Sequence, residues 1–161
     1  MDIITWTAVT VMSMYMNMSS QPTNGNFVYN AEMQDGKISA IISYKNDMNC
    51  LTANTKHLYD YDEQDRVVSD QTLRWNTQKG EWIPVKCIEY SYDGNNITMS
   101  YMKWDNKCNY YLSPSEKVVY TTMGNMITSV EEYKTDTKDG EMHLADRYLL
   151  MGGVENMLAK N

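Results

Sequence analysis

Clustered carboxylates are the side chains in this 161-residue sequence whose spacing most resembles a reactive site. The stretch YDYDEQDRV (59–67) carries four acids within six residues, and clustered oxygen ligands of this kind suit Ca²⁺. The spacing lacks the glycine at position 6 and the distant glutamate of an EF-hand loop. Comparable turns, YDGNNI and YTTMGNMI, hold one acid and none. We therefore interpret the stretch as a turn in which aspartate accepts local hydrogen bonds, and predict no metal site.

The remaining acids and nucleophiles form no recognisable catalytic set. Glu131 and Glu132 are adjacent, and neighbouring residues on a strand point to opposite faces, so the two cannot serve one site. Cys50, Cys87 and Cys108 show no CxxC spacing and no histidine at zinc-ligand spacing. We predict semi-buried thiols, with one disulfide and a leftover thiol as the alternative. The sequence thus predicts no catalytic residue and no cofactor.

The charge balance restricts the classes of partner. Acids outnumber bases 21 to 14, the formal net charge is −7, and the basic residues form no run. Such a chain repels the phosphate backbone of a nucleic acid and an anionic membrane surface. Neither is an expected partner.

Aromatic side chains are the strongest binding candidates. The chain has 13 tyrosines and 4 tryptophans but only one phenylalanine. Five aromatics lie near the ends of predicted hairpins: Trp75, Trp82, Trp104, Tyr110 and Tyr111. Exposed rows of such rings bind sugars or protein surfaces by stacking and burial, whereas buried ones would fill the core in place of phenylalanine and leucine. Both interpretations stay open at this point.

These aromatics belong to a pattern that recurs four times. A strand ends in tyrosine, a polar turn follows, a β-branched residue restarts the chain, and a second strand runs to a large aromatic. The four segments are 27–44, 58–75, 89–104 and 118–133, and their anchor tyrosines are 32, 31 and 28 residues apart. The pattern predicts an all-β fold, an antiparallel meander of about eight to ten strands built from hairpin repeats.

Side-chain alternation supports strands but leaves both faces partly apolar. In ITMSYMKW (97–104) isoleucine, methionine and tyrosine alternate with threonine, serine and a second methionine. A sheet with aromatic residues on both faces either curls over itself, as a curled sheet or open sandwich, or exposes one aromatic surface. We expect a single domain over residues 21–161.

The N-terminus has a different character. Residues 3–16 form the most apolar stretch, with a length that suits a signal-peptide core and is too short to span a bilayer. We interpret residues 1–20 as a signal-like segment, with an N-terminal strand as the alternative. No other segment predicts a stable membrane span, and the tail VENMLAKN (154–161) is the only segment that predicts a short helix.

Two resemblances follow from these motifs. The stretch YDYDEQDRV resembles the tyrosine-aspartate repeats of bacterial surface and toxin-shell proteins, in which Y-D-x-x-G-R-hydrophobic marks a strand–turn–strand unit; here Asp65 stands at the glycine position. The Y-x-Y-D hairpins and WNTQKGEW (75–82) are similar to those of small exported Bacteroidales proteins of unknown function, over about residues 27–150. That family implies a β-meander and an envelope or extracellular location, and it supplies no catalytic residue.

Together these observations predict an exported, periplasmic or extracellular module without catalytic activity. Its expected partner is a glycan or an envelope protein, bound through an aromatic face. A structural, self-assembling surface protein is the first alternative and a hydrolase the second. The oligomeric state is not encoded in any feature above.

Overall fold

The computed structural model describes residues 5–20, 26–48, 50–124 and 126–150. Over these residues the chain forms one helix and then ten antiparallel strands, all in one sheet. The elements are α1 (Ala8–Ser20), β1 (Phe27–Gln34), β2 (Lys37–Asp47), β3 (Cys50–Tyr61), β4 (Val67–Asn76), β5 (Glu81–Asp93), β6 (Asn96–Asp105), β7 (Tyr110–Tyr111), β8 (Glu116–Met123), β9 (Met126–Thr135) and β10 (Met142–Leu149).

The strands follow one another across the sheet in chain order. Only the two-residue strand β7 leaves this order, because it pairs with the end of β6 while β8 takes the next place in the sheet. The strands β1 and β10 lie at opposite edges, so the sheet is not closed. This confirms the predicted antiparallel meander and its number of strands.

Each of the four related segments forms a hairpin: β1–β2, β3–β4, β5–β6 and β8–β9. Because successive strands are antiparallel, the turns of these hairpins lie at one end of the sheet, and the connections between hairpins lie at the other. The sheet therefore has one end made of the turns within hairpins, beside Tyr61 and Tyr92, and one made of the connections between hairpins, beside Trp75, Trp82 and Trp104.

The N-terminal segment forms a helix, which corrects both the strand alternative and the expectation that only the tail is helical; the tail itself lies outside the described residues. Thr7 caps α1: its hydroxyl accepts from the backbone N–H of Thr10 (3.3 Å), and the hydroxyl of Thr10 accepts in return from the N–H of Thr7 (3.4 Å). The β-branched residues of the segment suggested a strand, but burial against the sheet outweighs that weak local preference.

The core lies between α1 and the sheet. Val11 of the helix is fully buried together with Ile38, Ile41, Tyr59 and Val67, which come from β2, β3 and β4. The chain before α1 is tied to the β3–β4 turn, since the N–H of Val67 donates to the carbonyl of Trp6 (2.7 Å) and that of Ala8 to the carbonyl of Asp65 (2.9 Å). Within the described residues no helix has the length and apolar character that crossing a bilayer requires.

The three cysteines are free thiols, so the disulfide alternative does not form. Cys87 is buried on the sheet, more completely than the predicted semi-buried thiol, whereas Cys50 and Cys108 are exposed. Both exposed thiols lie in or beside turns, where the chain has little to pack against them.

Candidate functional site

The aromatic candidates meet at the end of the sheet that carries the connections between hairpins. The β4–β5 and β6–β7 connections both turn there, and they bring Trp75 and Trp104 to a cleft of about 460 Å³. Along β4, Trp75 shares a face with Gln71, and along β6, Trp104 shares a face with Met102. Gln71 and Met102 both pair with Cys87 of β5, so the two tryptophans lie on one face of the sheet.

Each cleft tryptophan is held by a second aromatic ring directly across the ladder. Trp82 pairs with Trp75 at a centroid distance of 5.1 Å, and Tyr111 pairs with Trp104 at 4.9 Å. Both pairs are edge-to-face, the arrangement that aromatic quadrupoles favour. The rings are half-buried and fixed in orientation before any ligand arrives.

Polar side chains surround the two tryptophans. The cleft is also lined by Arg74, Asn76, Gln78 and Asn106. Asn76 stabilises the connection itself, because its Oδ1 accepts from the backbone N–H of Gln78 (3.0 Å) and of Lys79 (3.1 Å). Its amide N–H₂ group stays available to a ligand, since an amide side chain carries donors besides its carbonyl oxygen.

The two tyrosine candidates have different positions. Tyr111 donates from its hydroxyl to Oε1 of Gln71 (3.3 Å), and burial raises the pKa of its phenol. Tyr110 points to solvent, with 53% of the residue exposed, and does not line the cleft. Of the five predicted aromatics, Trp75 and Trp104 form the cleft, Trp82 and Tyr111 support them, and Tyr110 lies outside.

The acidic stretch forms the β3–β4 turn. Oδ1 of Asp62 accepts from the backbone N–H of Gln64 and of Arg66 (both 2.9 Å), and its Oδ2 accepts from Nε of Arg66 (2.7 Å). This is the predicted aspartate-supported turn, in which the Asp62 carboxylate pairs with Arg66. Over the described ranges, no group of three or more histidine, cysteine, aspartate or glutamate side chains is arranged to hold a metal ion.

A second cleft, which the sequence did not suggest, lies between α1 and strands β1 to β4. It has a volume of about 310 Å³ and contains His57 and Asp70, whose Nδ1 and Oδ1 are 3.0 Å apart. The two residues meet diagonally because β3 and β4 pair Tyr59 with Asp70 and His57 with Thr72. The register of this pairing alone brings the two residues together. They are thirteen positions apart in the sequence, a spacing that matches no local motif.

Comparison with known proteins places the chain among proteins of one family. A sequence profile of a family of unknown function, DUF3836, matches residues 1–122. A solved DUF3836 family protein from Bacteroides vulgatus ATCC 8482 is 32% identical, with a TM-score of 0.56 over 59% of this chain and 98% of that one. No match was found among curated proteins.

Two further solved structures show the likeness of fold. A protein with unknown function from Bacteroides fragilis NCTC 9343 is 22% identical, with a TM-score of 0.69 over 84% of this chain and 96% of that one. A DUF3836 family protein from Parabacteroides distasonis ATCC 8503 is 23% identical, with a TM-score of 0.52 over 59% and 89%. The predicted resemblance to Bacteroidales proteins of unknown function is confirmed.

Proposed function

The chain belongs to the DUF3836 family, and we propose that it is an exported, non-catalytic β-sheet module that binds a glycan in the cleft between Trp75 and Trp104. The cleft itself is the observation that carries this proposal. Two half-buried indole rings line it, and each is held edge-to-face by a neighbouring ring.

The chemistry of the cleft suits a sugar ring. Indole faces stack on the apolar C–H faces of a sugar, and amide and guanidinium groups can hydrogen-bond its hydroxyls. Asn76, Gln78, Asn106 and Arg74 supply those groups around the two rings. Because the supporting rings hold the two indole side chains in place, less side-chain conformational entropy is lost when a ligand binds.

The lining also favours binding over hydrolysis. Glycoside hydrolysis uses two carboxyl groups that flank the scissile bond. The described residues that line the cleft include no aspartate, glutamate, histidine or cysteine. A glycan held there meets stacking and hydrogen-bonding groups but no acid–base pair.

The N-terminal sequence supports export. Residues 3–16 have the length and apolar character of a signal-peptide core. Export directs the protein to the periplasm or to the exterior of the cell. Fractionation of its producing cells, with the protein identified by mass spectrometry, would test this: recovery from the periplasm or the medium is expected, and recovery from the cytoplasm alone would overturn it.

Tryptophan fluorescence during titration with soluble oligosaccharides tests the binding site. Binding should shift the emission of the cleft tryptophans, and Trp104→Ala should weaken the affinity by about tenfold or more, which corresponds to about 1.4 kcal/mol. Tyr110→Ala is the matched control, because Tyr110 is exposed outside the cleft. Equal affinity in both variants would contradict the proposed site.

Self-assembly is the second candidate function, and one observation favours it. The edge strand β10 exposes Leu144, Tyr148 and Leu149. Exposed apolar side chains on an unpaired edge can join two sheets. Concentration-dependent oligomers in the absence of any oligosaccharide, abolished by Leu149→Lys, would favour this candidate over the first.

A further inference from the structure

The cleft between α1 and the sheet contains a largely buried carboxylate with one protein hydrogen-bond donor. The side chain of Asp70 is only 14% exposed, and Nδ1 of His57, at 3.0 Å from Oδ1, is its hydrogen-bond donor. Within the described residues no donor reaches Oδ2. A largely buried carboxylate normally has several donors, so Asp70 retains capacity to bind one more.

The described lining of this cleft holds one acidic and one basic side chain. Asp70 and His57 are its acid and its base, and no lysine or arginine is among the described residues that line it. Burial is the main cause that raises the pKa of the nearby phenols of Tyr59, Tyr61 and Tyr90, and the Asp70 carboxylate raises all three further.

The walls around this carboxylate are aromatic and apolar. Phe27, Tyr29 and Tyr59 line the cleft, and Met14, Met18 and Ile41 complete its apolar side. Aromatic faces attract cations through their quadrupole, and methionine side chains adapt to ligands of irregular shape. The volume of about 310 Å³ is at the lower end of the range for small-molecule sites.

We propose that this cleft binds a small primary ammonium ion with an apolar substituent, with Asp70 as the counter-ion. The ammonium group donates to Oδ2 of Asp70, and the substituent packs against the aromatic rings and methionines. The polar groups of the site, including Asp70, His57 and Ser43, belong to β2, β3 and β4. Recognition thus rests on the sheet, while Met14 and Met18 of α1 cover the site from above.

This site is separate from the proposed glycan cleft. The two clefts share no lining residue, and each can be tested while the other is intact. Failure of glycan binding would therefore leave the ammonium site unaffected, and the reverse also holds.

Benzylamine and benzyl alcohol are the probes that separate charge from shape. Near neutral pH benzylamine carries an ammonium group, and benzyl alcohol is a neutral analogue of similar size. Isothermal titration of the full-length protein should show benzylamine bound about tenfold or more tightly than benzyl alcohol, as expected for a charged hydrogen bond. Equal affinity for the two, or no binding of either at millimolar concentration, would overturn the proposal.

Asp70→Asn keeps the shape of the side chain and removes its charge. It should reduce benzylamine affinity by about tenfold or more and leave benzyl alcohol unaffected. Asp60→Asn is the matched control, because Asp60 is an exposed carboxylate on the adjacent strand β3 and lies outside this cleft. Equal losses in both variants would place the binding elsewhere. If Asp70→Asn does not fold, as judged by circular dichroism, the comparison of the two probes on the unaltered protein decides the matter.

Discussion

The hydroxyl of Tyr61 donates a hydrogen bond of 2.8 Å to the backbone carbonyl oxygen of Ile38. Tyr92 makes the equivalent bond, 2.7 Å long, to the carbonyl oxygen of Val67. In both cases the tyrosine is the last or next-to-last residue in the first strand of one hairpin, and the carbonyl belongs to the first or second residue in the second strand of the preceding hairpin. The side chains that recur in the sequence thus connect neighbouring hairpins across the sheet.

The third pair does not repeat this bond. Tyr120 lies directly opposite Ile97 in the β6–β8 ladder, and its hydroxyl has no hydrogen bond to a described residue. Its spacing from the preceding anchor tyrosine is 28 residues, against 32 and 31 for the two bonded cases. The shorter spacing accompanies a different register.

Replacing either bonded tyrosine by phenylalanine should destabilise the protein. Tyr61→Phe and Tyr92→Phe each remove a donor and leave the carbonyl of a buried residue without that partner, so we expect a loss of about 1 kcal/mol in the free energy of unfolding. Urea denaturation measures it. Tyr110→Phe is the control and should change little, because this ring is exposed. A loss as large in the control would show that the phenol bonds contribute nothing specific.

Asp65 should tolerate glycine better than alanine. Its φ of 60° is in the left-handed region, where a side chain raises the backbone energy by about 1 kcal/mol relative to glycine. Asp65→Gly and Asp65→Ala both remove the ion pair with Lys37, so the difference between them isolates the backbone effect. Thermal unfolding should rank the glycine variant above the alanine variant. Equal stabilities would indicate that the turn relaxes out of this conformation.

Asp62 should contribute stability that disappears in acid. Burial, its largest single influence, acts to raise the pKa of this carboxyl, but hydrogen bonds from Arg66 and Gln64 together lower it below the ordinary 3.8. A lowered pKa in the folded state means that the stabilisation is complete above the unfolded value and is lost as pH falls through the folded value. The stability advantage over Asp62→Asn should therefore shrink below about pH 4. A constant difference between the two proteins from pH 7 to pH 2 would contradict this.

The helix α1 offers two valines for an internal comparison. Val11 is fully buried against the sheet, whereas Val9 is 58% exposed. Val11→Ala should lower the free energy of unfolding by about 2 kcal/mol through lost burial and a cavity, and Val9→Ala should have little effect or a small stabilising one. Chemical denaturation of full-length protein distinguishes them. Equal, small effects would mean that α1 does not pack on the sheet in solution.

The strands were predictable because their pattern is local. In ITMSYMKW the alternation assigns Met99 and Tyr101 to one face and Met102 and Trp104 to the other, and the ladder keeps that assignment. The positions of turns were also readable from glycine, asparagine and aspartate. The aromatic site was predictable only as a set of five residues, since which rings line a cleft and which support them depends on packing.

The helix α1 and the cleft that contains His57 and Asp70 were not predicted from the sequence. The residues by which α1 packs against the core include Val11, Met14, Tyr15 and Met18, a helical spacing that was present in the sequence. Thr and Val at other positions obscured it, because they favour strands. The pairing of His57 with Asp70 depends on the β3–β4 register, including the bulge between Asp60 and Tyr61, and no local pattern fixes such a register.

The unclosed sheet has a consequence for how this architecture can vary in length. A barrel requires a fixed number of strands, since its first and last must meet. Among the described residues β1 and β10 are the two edge strands, and each strand depends chiefly on its immediate neighbours. Whole hairpins can therefore be gained or lost at an edge without rebuilding the rest, so evolution can lengthen or shorten such a protein in steps of two strands.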